Sequence, residues 1–196
     1  KAIGEESTLM LAVDSFLNSN NIKSPIVTNL STTLAIEKVS EKHGVKVLRS
    51  AVGEINVVEM MKENSSKIGG EGNGGVILKD VHLGRDSLVA ATIILHRIAL
   101  ANTTLSTLME NLPQFEIIKE KILIDVVEED ALFDMISASC NDAEICQDDG
   151  LKLSWKDRWV HIRKSNTEPI LRLYAEAPTL DEANNLGNFI KTILSE

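Results

Sequence analysis

A short polar segment near the C-terminal end of the chain carries the residue types that bind phosphate. The segment RKSNTEP spans residues 163–169, and an apolar strand-like stretch with a further arginine follows it. Proteins hold a phosphate with bidentate guanidinium groups, hydroxyl donors and backbone N–H groups. The alternative is a turn in which Ser, Asn and Thr bond to their own backbone. The candidate phosphate-binding residues are Arg163, Ser165, Asn166, Thr167 and Arg172.

A second candidate is the glycine-rich segment SSKIGGEGNGG, residues 65–75. It matches the dinucleotide fingerprint GxGxxG formally, but that motif follows a buried strand and opens a helix. Here polar residues precede the glycines and the strand-like VIL, 76–78, comes after them. A flexible turn is the plain alternative, because glycine readily adopts positive φ. Glu71 and Asn73 favour sugar hydroxyls, since a carboxylate accepts hydrogen bonds while an amide both donates and accepts.

Other reactive residue types give weaker signals. Cys140 and Cys146 are too few for zinc, which takes about four ligands, so we expect plain thiols in a reducing cytoplasm. The histidines show no metal-binding spacing. His161 shares the face of Arg163 by strand alternation, and we expect a place on the strand surface.

Composition limits the possible partners. The chain has 196 residues, 43% of them hydrophobic and 25% charged, as in an ordinary soluble globular protein. The net charge of −9 argues against nucleic acid, which needs a basic face. No apolar run approaches the roughly 20 residues that span a bilayer, so we expect no membrane partner and a cytoplasmic protein.

Periodicity predicts an α/β fold with two parts. Strands and helices alternate in the first part, whereas the second clusters its strands. We expect a mixed α/β domain at 1–112 and a small α+β domain at 113–196, with an antiparallel sheet flanked by helices. Ser31 is predicted to begin a helix, and Asp86 either caps another or forms a functional pair with Arg85. The predicted helices are 5–19, 31–43, 54–64, 86–101, 106–112, 128–138 and 181–195, and the predicted strands are 25–30, 45–52, 76–78, 121–127, 151–155, 159–163 and 170–177.

Taken together, these segments resemble the α-D-phosphohexomutases, which include phosphoglucomutase, phosphomannomutase and phosphoglucosamine mutase. The third of the family's four domains carries a sugar-binding loop GEx(S/N)G, similar to GEGNG at 70–74. The fourth carries a phosphate-binding loop RxS(G/N)TEP, similar to RKSNTEP. The resemblance extends over essentially the whole chain, because GEESTLMLAVDSFL, TNLSTT and SAVGE also match, at 4–17, 28–33 and 50–54.

The resemblance implies the substrate-binding half of a mutase that interconverts hexose 6-phosphate and hexose 1-phosphate through hexose 1,6-bisphosphate. Glu71 and Asn73 would contact sugar hydroxyls, and the RKSNTEP residues with Arg172 would hold the phosphate. No segment matches the family's phosphoserine loop or its magnesium loop. We therefore expect the chain to start after the metal loop and to be inactive alone. Mg²⁺ ligands would lie outside it, and the missing N-terminal domains of the same polypeptide would be its partner.

The preferred sugar depends on positions where family members differ. Asn73 stands where many members have Ser, and Gly75 where many have His, whose absence would leave room near the sugar. Asn occurs in the N-acetylglucosamine phosphate branch, which favours phosphoglucosamine mutase. Phosphomannomutase or phosphoglucomutase specificity, and a non-catalytic sugar-phosphate-binding module, are the alternatives. Asn29 and Glu54 occupy turns where some members place a basic or imidazole ligand, or they serve as turn and capping residues.

Overall fold

The computed structural model describes residues 2–123, 129–165 and 168–194. The chain forms two compact units, residues 1–113 and 114–196. The first is mixed α/β, and the second is an antiparallel sheet with helices, so the expected fold class is confirmed. Among the described helices, none combines the length and the apolar character needed to cross a lipid bilayer.

The first unit is built around a four-stranded sheet with the order β2-β1-β3-β4. Strand β1 runs parallel to both β2 and β3, whereas β3 and β4 form an antiparallel hairpin. All residues of β1 and β3 are buried, as expected for strands covered on both faces. The elements are α1 Glu5–Ser19, β1 Ile26–Asn29, α2 Ala35–Glu41, β2 Val47–Ser50, α3 Glu54–Glu63, β3 Ile68–Glu71, β4 Gly75–Leu78, α4 Ser87–Ala101 and α5 Leu105–Glu110.

Two adjacent glycines let helices approach both faces of β3. A Cβ at Gly69 would lie 2.8 Å from Sδ of Met61 on α3, and one at Gly70 would lie 2.7 Å from Cδ1 of Leu9 on α1. Successive residues of a strand point to opposite faces, so α1 and α3 pack on opposite sides of the sheet. The glycine-rich segment is therefore partly a buried strand, where the sequence predicted a loop. The glycines are needed there for close packing.

Helix α2 begins later than its sequence predicts. The N-cap residue is Leu34, and no side chain caps the helix. The predicted cap, Ser31, instead donates its backbone N–H to Oδ1 of Asn29 at 2.9 Å. The asparagine side chain at the end of β1 thus orders the turn before the helix, so the prediction of a Ser31 cap was wrong. The predicted cap at Asp86 is confirmed, because its Oδ1 accepts from the N–H groups of Leu88 and Val89 at 2.7 and 3.1 Å.

The second unit is a five-stranded antiparallel sheet with the order β5-β9-β8-β7-β6. One face is apolar and buries its residues in a core with the two helices. Strand β5 starts five residues before its predicted beginning, because it pairs with β9 from Glu116 onward. The end of the predicted strand, residues 124–127, lies outside the described residues. The elements are β5 Glu116–Leu123, α6 Glu129–Ser139, β6 Glu144–Cys146, β7 Leu151–Ser154, β8 Trp159–Lys164, β9 Ile170–Ala177 and α7 Leu180–Ile193.

The other face of this sheet is polar and rich in cations. Residues paired directly across antiparallel strands point to the same face. One transverse row runs Lys121–Arg172–Arg163 across β5, β9 and β8. The neighbouring row runs Lys119–Tyr174–His161–Lys152. A chain with net charge −9 therefore concentrates positive charge on one face of its second unit.

Candidate functional site

Glu71 is the last residue of β3, and its buried carboxylate is held from several sides. Oε1 accepts hydrogen bonds from Nδ2 of Asn29 at 2.9 Å and from the backbone N–H of Gly53 at 3.2 Å. Oε2 lies 3.2 Å from Nη1 of Arg85. These contacts hold the Glu71 carboxylate in one orientation at the edge of the glycine turn.

Asn29 is oriented by the turn that follows β1. Its Oδ1 accepts from the backbone N–H of Ser31 at 2.9 Å and from Oγ1 of Thr32 at 3.0 Å. Oγ1 of Thr32 also accepts from the N–H of Gly72 at 3.1 Å. Because its oxygen is committed to the turn, the amide of Asn29 presents its N–H₂ group to Glu71. The sequence left the role of Asn29 open, and the structure makes it a partner of the candidate sugar ligand.

Arg49 on β2 fixes this turn from the other side. Its Nη1 donates to the carbonyl oxygens of Asn29 and Thr32 at 3.0 and 2.7 Å, and Nη2 donates to that of Thr33 at 3.2 Å. Its Nε donates to Oε1 of Glu37 at 2.7 Å. Sequence reasoning did not single out this residue, because only the pairing of β1 with β2 brings it to the turn.

Asn73 and Gly74 form the exposed tip of the turn between β3 and β4. Gly74 adopts φ +86°, a conformation that favours glycine, and its N–H donates to the Glu71 carbonyl at 3.1 Å. The exposed Asn73 accepts from the N–H of Gly75 at 3.2 Å through Oδ1. The turn joins two antiparallel strands and opens no helix, which excludes the dinucleotide alternative. Asn73 also borders an open cleft of about 360 Å³, lined with it by Glu54, Gly74, Gly75, Arg85 and the start of α4.

Arg85 links two carboxylates in this cleft. Its Nε donates to Oε2 of Glu54 at 2.8 Å, and its backbone N–H donates to Oε1 of the same group at 2.9 Å. These hydrogen bonds, the backbone one first, hold the pKa of Glu54 below its ordinary value. The side chain of Arg85 also covers Gly75, where a Cβ would lie 2.2 Å from its Cδ. The room expected from a missing histidine at Gly75 is therefore filled by the arginine stem.

Ser165 and Arg172 meet at the base of the RKSNTEP segment. The hydroxyl oxygen of Ser165 accepts from both Nε and Nη2 of Arg172 at 3.3 Å, and the Ser165 N–H donates to the carbonyl of Ile170 at 2.9 Å. Two further predicted phosphate ligands, Asn166 and Thr167, lie outside the described residues.

Three cations lie side by side where this segment leaves the sheet. Arg163 pairs directly with Arg172, which pairs on its other side with Lys121. The carboxylate of Glu168 is 2.8 Å from Nζ of Lys121 and 3.0 Å from Nη2 of Arg172, and mainly the lysine hydrogen bond holds the pKa of Glu168 low. Like charges on facing strand positions are destabilising, so such a row is typical of an anion site. Sequence reasoning missed Lys121, because the register of β5 with β9 cannot be inferred from local sequence.

Arg163 is the least committed of the three. Its Nη1 makes a long hydrogen bond of 3.3 Å to the carbonyl of Lys164. Its Nε is shielded from solvent and has no hydrogen-bond partner among the residues that the structure describes. Most buried polar groups are hydrogen-bonded, so an exception beside two other cations points to binding of an anion.

His161, one pair back along the same face, is buried, so its predicted place on an exposed strand surface was wrong. Its Nε2 donates to the backbone carbonyl of Asp149 at 2.6 Å. Burial lowers the pKa of His161 to about 4, so the ring is neutral near pH 7. Beside it, Lys152 lies over the Trp159 ring at 4.5 Å, and Trp159 Nε1 donates to Glu176 at 2.5 Å. These buried polar contacts lie beside the cation row on the same face of the sheet.

No metal site can be assigned to the described part of the chain, which contains no group of three or more His, Cys, Asp or Glu side chains able to hold a metal ion. Both cysteines are free thiols, Cys140 buried and Cys146 partly exposed.

Comparison with known proteins identifies the family of the chain. The family model "Phosphoglucomutase/phosphomannomutase, alpha/beta/alpha domain III" matches residues 4–115, and "Phosphoglucomutase/phosphomannomutase, C-terminal domain" matches residues 114–192. The chain belongs to the phosphoglucomutase/phosphomannomutase family. The resemblance inferred from the two loops is thereby confirmed.

Curated relatives of the family match over most of the chain. A phosphoglucomutase/phosphomannomutase of Thermococcus kodakarensis is 32% identical over 91% of this chain and 39% of its own length. A phosphoglucosamine/phosphogalactosamine mutase of Sulfurisphaera tokodaii is 28% identical over 97% of this chain and 43% of its own length. The chain therefore spans less than half the length of these relatives.

A solved member of the family has the same fold. The phosphoglucomutase/phosphomannomutase family protein of Burkholderia thailandensis superimposes with a TM-score of 0.80 at 23% identity. The match covers 99% of this chain and 42% of that protein. At this identity the likeness establishes the fold alone.

Proposed function

We propose that this chain is the sugar-phosphate-binding part of a phosphohexomutase. Such an enzyme interconverts hexose 6-phosphate and hexose 1-phosphate through hexose 1,6-bisphosphate. The observation that carries the proposal is the row Lys121–Arg172–Arg163 beside Ser165, in a chain that is otherwise acidic. The two units would correspond to the family domains expected at 1–112 and 113–196.

The cation row would bind the phosphate that is not reacting. Arg172 is already bonded to Ser165, so guanidinium and hydroxyl donors are preorganised at one place. Arg163 adds an uncommitted Nε, and Lys121 adds an ammonium group that the sequence did not predict. The loop residues Asn166 and Thr167 would complete the set, as the family motif implies. Positioning and electrostatic stabilisation of this kind dominate catalysis of phosphoryl transfer.

Glu71 and Asn73 would bind the sugar ring in the first unit. Hydrogen bonds from Asn29 and Gly53 and the ion pair with Arg85 fix the orientation of the Glu71 carboxylate before a ligand binds. Asn73 borders the open cleft, and its amide N–H₂ group is a suitable donor to a hydroxyl oxygen. A carboxylate acceptor and an amide donor within one turn suit a polyhydroxylated ligand.

The transferred phosphoryl group and the metal would come from other domains of the polypeptide. In the family, a phosphoserine in the first domain and an aspartate-rich Mg²⁺ loop in the second supply them. Magnesium stabilises negative charge during phosphoryl transfer.

Glucosamine phosphate is the sugar we propose. Asn73 is the residue of the N-acetylglucosamine phosphate branch, and one of the relatives above is named a phosphoglucosamine/phosphogalactosamine mutase. The T. kodakarensis relative carries the phosphoglucomutase/phosphomannomutase name, which keeps glucose and mannose phosphates as the rivals.

Titration calorimetry of this chain with glucosamine, glucose and mannose 6-phosphates tests the proposal. Arg172→Gln should weaken binding of all three by about tenfold or more, since it removes charge-assisted hydrogen bonds. The matched control is Arg158→Gln, because Arg158 pairs with its neighbour Asp157 at 3.0 Å and lies outside the row. Circular dichroism verifies that both variants are folded. Equal affinities for wild type and Arg172→Gln would refute the phosphate site.

Turnover separates the mutase from a binding module. A coupled assay should show glucosamine 1-phosphate formation by a polypeptide in which the family's preceding domains come before this chain, and none by this chain alone. Sugar-phosphate binding without turnover in the longer polypeptide would favour the non-catalytic module.

A further inference from the structure

The cleft beside Asn73 has an unusual balance of charge. Its lining includes the carboxylates of Glu54 and Asp86, and Glu71 lies directly behind Arg85. Hydrogen bonds hold the pKa values of both Glu54 and Asp86 low, chiefly from Arg85 and from His82 respectively. Against these three carboxylates the lining contributes one guanidinium, that of Arg85.

Both packing and ion pairs hold the Arg85 side chain in the cleft. Its stem fills the space above Gly75, its Nε binds Glu54, and its Nη1 pairs with Glu71. No hydrogen bond of Nη2 is found within the described residues, and the side chain is 40% exposed. A guanidinium offers five donors in a rigid fork, so donors remain for a ligand in the cleft.

We infer that Arg85 is the specificity-determining residue of the Glu71–Asn73 cleft, because its positive charge offsets part of the charge of three carboxylates and its free donors can bind hydroxyl groups, so that the cleft also accepts sugars without a cationic amino group. The inference rests on the proposed function. With Arg85 in place, hydroxyl groups of the sugar meet a hydrogen-bond donor among the carboxylates. If the charge of Arg85 is removed, the carboxylates attract a cationic amino sugar more strongly. A neutral sugar gains no such electrostatic attraction.

Position 75 offers an independent way to move Arg85. The backbone of Gly75 lies outside the left-handed region, so its conformation suits alanine. The added Cβ would collide with Cδ and Cγ of Arg85 at 2.2 and 2.8 Å and would lie 3.2 Å from Oδ1 of Asn73. Gly75→Ala should therefore displace the guanidinium without removing it. The lack of a side chain at Gly75 thus allows the Arg85 stem to pack over the turn.

The test is the ratio of affinities for glucosamine 6-phosphate and glucose 6-phosphate, measured by calorimetry. Arg85→Gln should weaken the binding of glucose 6-phosphate. The ratio of affinities should therefore change in favour of the amino sugar by about fivefold or more. Arg85→Lys keeps the cation and should hold the ratio near that of wild type. Gly75→Ala should shift the ratio in the same direction as Arg85→Gln, by less. Lys67→Gln is the control, since Lys67 pairs with Asp80 at 2.8 Å in the same unit outside the cleft.

The possible results support or overturn the role of Arg85 as follows. A raised ratio in Arg85→Gln with a preserved ratio in Arg85→Lys supports the inference. If Arg85→Gln weakens the binding of both sugar phosphates equally, or of neither, the inference is overturned. The proposed function still stands in that case if Arg172→Gln weakens sugar-phosphate binding. Wild-type protein that binds neither sugar phosphate overturns the proposed function and this inference together.

Discussion

Replacing Arg163 by methionine should weaken phosphate binding while leaving the fold as stable as before or more stable. The side chain contributes little to the folded state in the absence of an anion. Its one hydrogen bond among the described residues is the 3.3 Å contact to the Lys164 carbonyl, and its Nε is shielded without a partner. It also faces Arg172 directly across the strand pair. Methionine keeps the unbranched apolar stem of the side chain and removes the guanidinium with its charge.

The magnitudes follow from these contacts. Relief of a facing like-charge pair is worth about 0.2–1 kcal/mol, and removal of an unpaired buried donor adds to it. We expect the free energy of unfolding to rise by about 1 kcal/mol or to stay unchanged. Loss of a hydrogen bond to a charged group costs binding about 1.5–3 kcal/mol, or roughly 10–150-fold in Kd.

Two measurements on the same samples check this prediction. Urea unfolding followed by circular dichroism gives the stability, and calorimetry with inorganic phosphate and with glucosamine 6-phosphate gives the affinity. Arg158→Met is the control, because that side chain is 42% exposed and an exposed ion pair contributes little. A variant that loses about 2 kcal/mol or more of stability would show Arg163 to be structural. Unchanged affinity would remove it from the phosphate site.

Two further predictions concern the support of the loop. His161, whose pKa burial lowers from 6.5 to about 4, stays neutral when folded, so stability should fall as pH drops from 6.5 towards 4, by on the order of 3 kcal/mol in total. His161→Gln should flatten this part of the pH profile in urea unfolding, and an unchanged slope would rule out the histidine as its source. Gly150→Ala should cost about 2 kcal/mol or more, because φ is +75° and a Cβ would lie 2.3 Å from the Ile162 carbonyl oxygen. Gly44→Ala, with φ +64° and no atom within 4 Å, should lose only about 1 kcal/mol, and equal losses would contradict the steric part of the reasoning.

The predictions from local sequence were confirmed where a few consecutive residues determine the structural feature. Asp86 caps α4 as its type and position indicate, because a cap depends on a few consecutive residues. The alternation of strands and helices gave the fold class for the same reason. Ser31 shows the limit of such reasoning, because the neighbouring Asn29, which also contacts Glu71 on β3, accepts the Ser31 N–H, and the helix begins only after Leu34.

The sequence by itself determined the family, the two loops and the candidate residues within them, because their chemistry is written in contiguous motifs. Only the tertiary structure brought Lys121 beside Arg172, Asn29 beside Glu71 and Arg85 over Gly75. These pairs depend on strand register and on helices packing across a sheet, and a shift of one residue would turn each strand side chain to the opposite face. The identity of the donors is thus a local property of the chain, whereas their convergence is decided by long-range pairing.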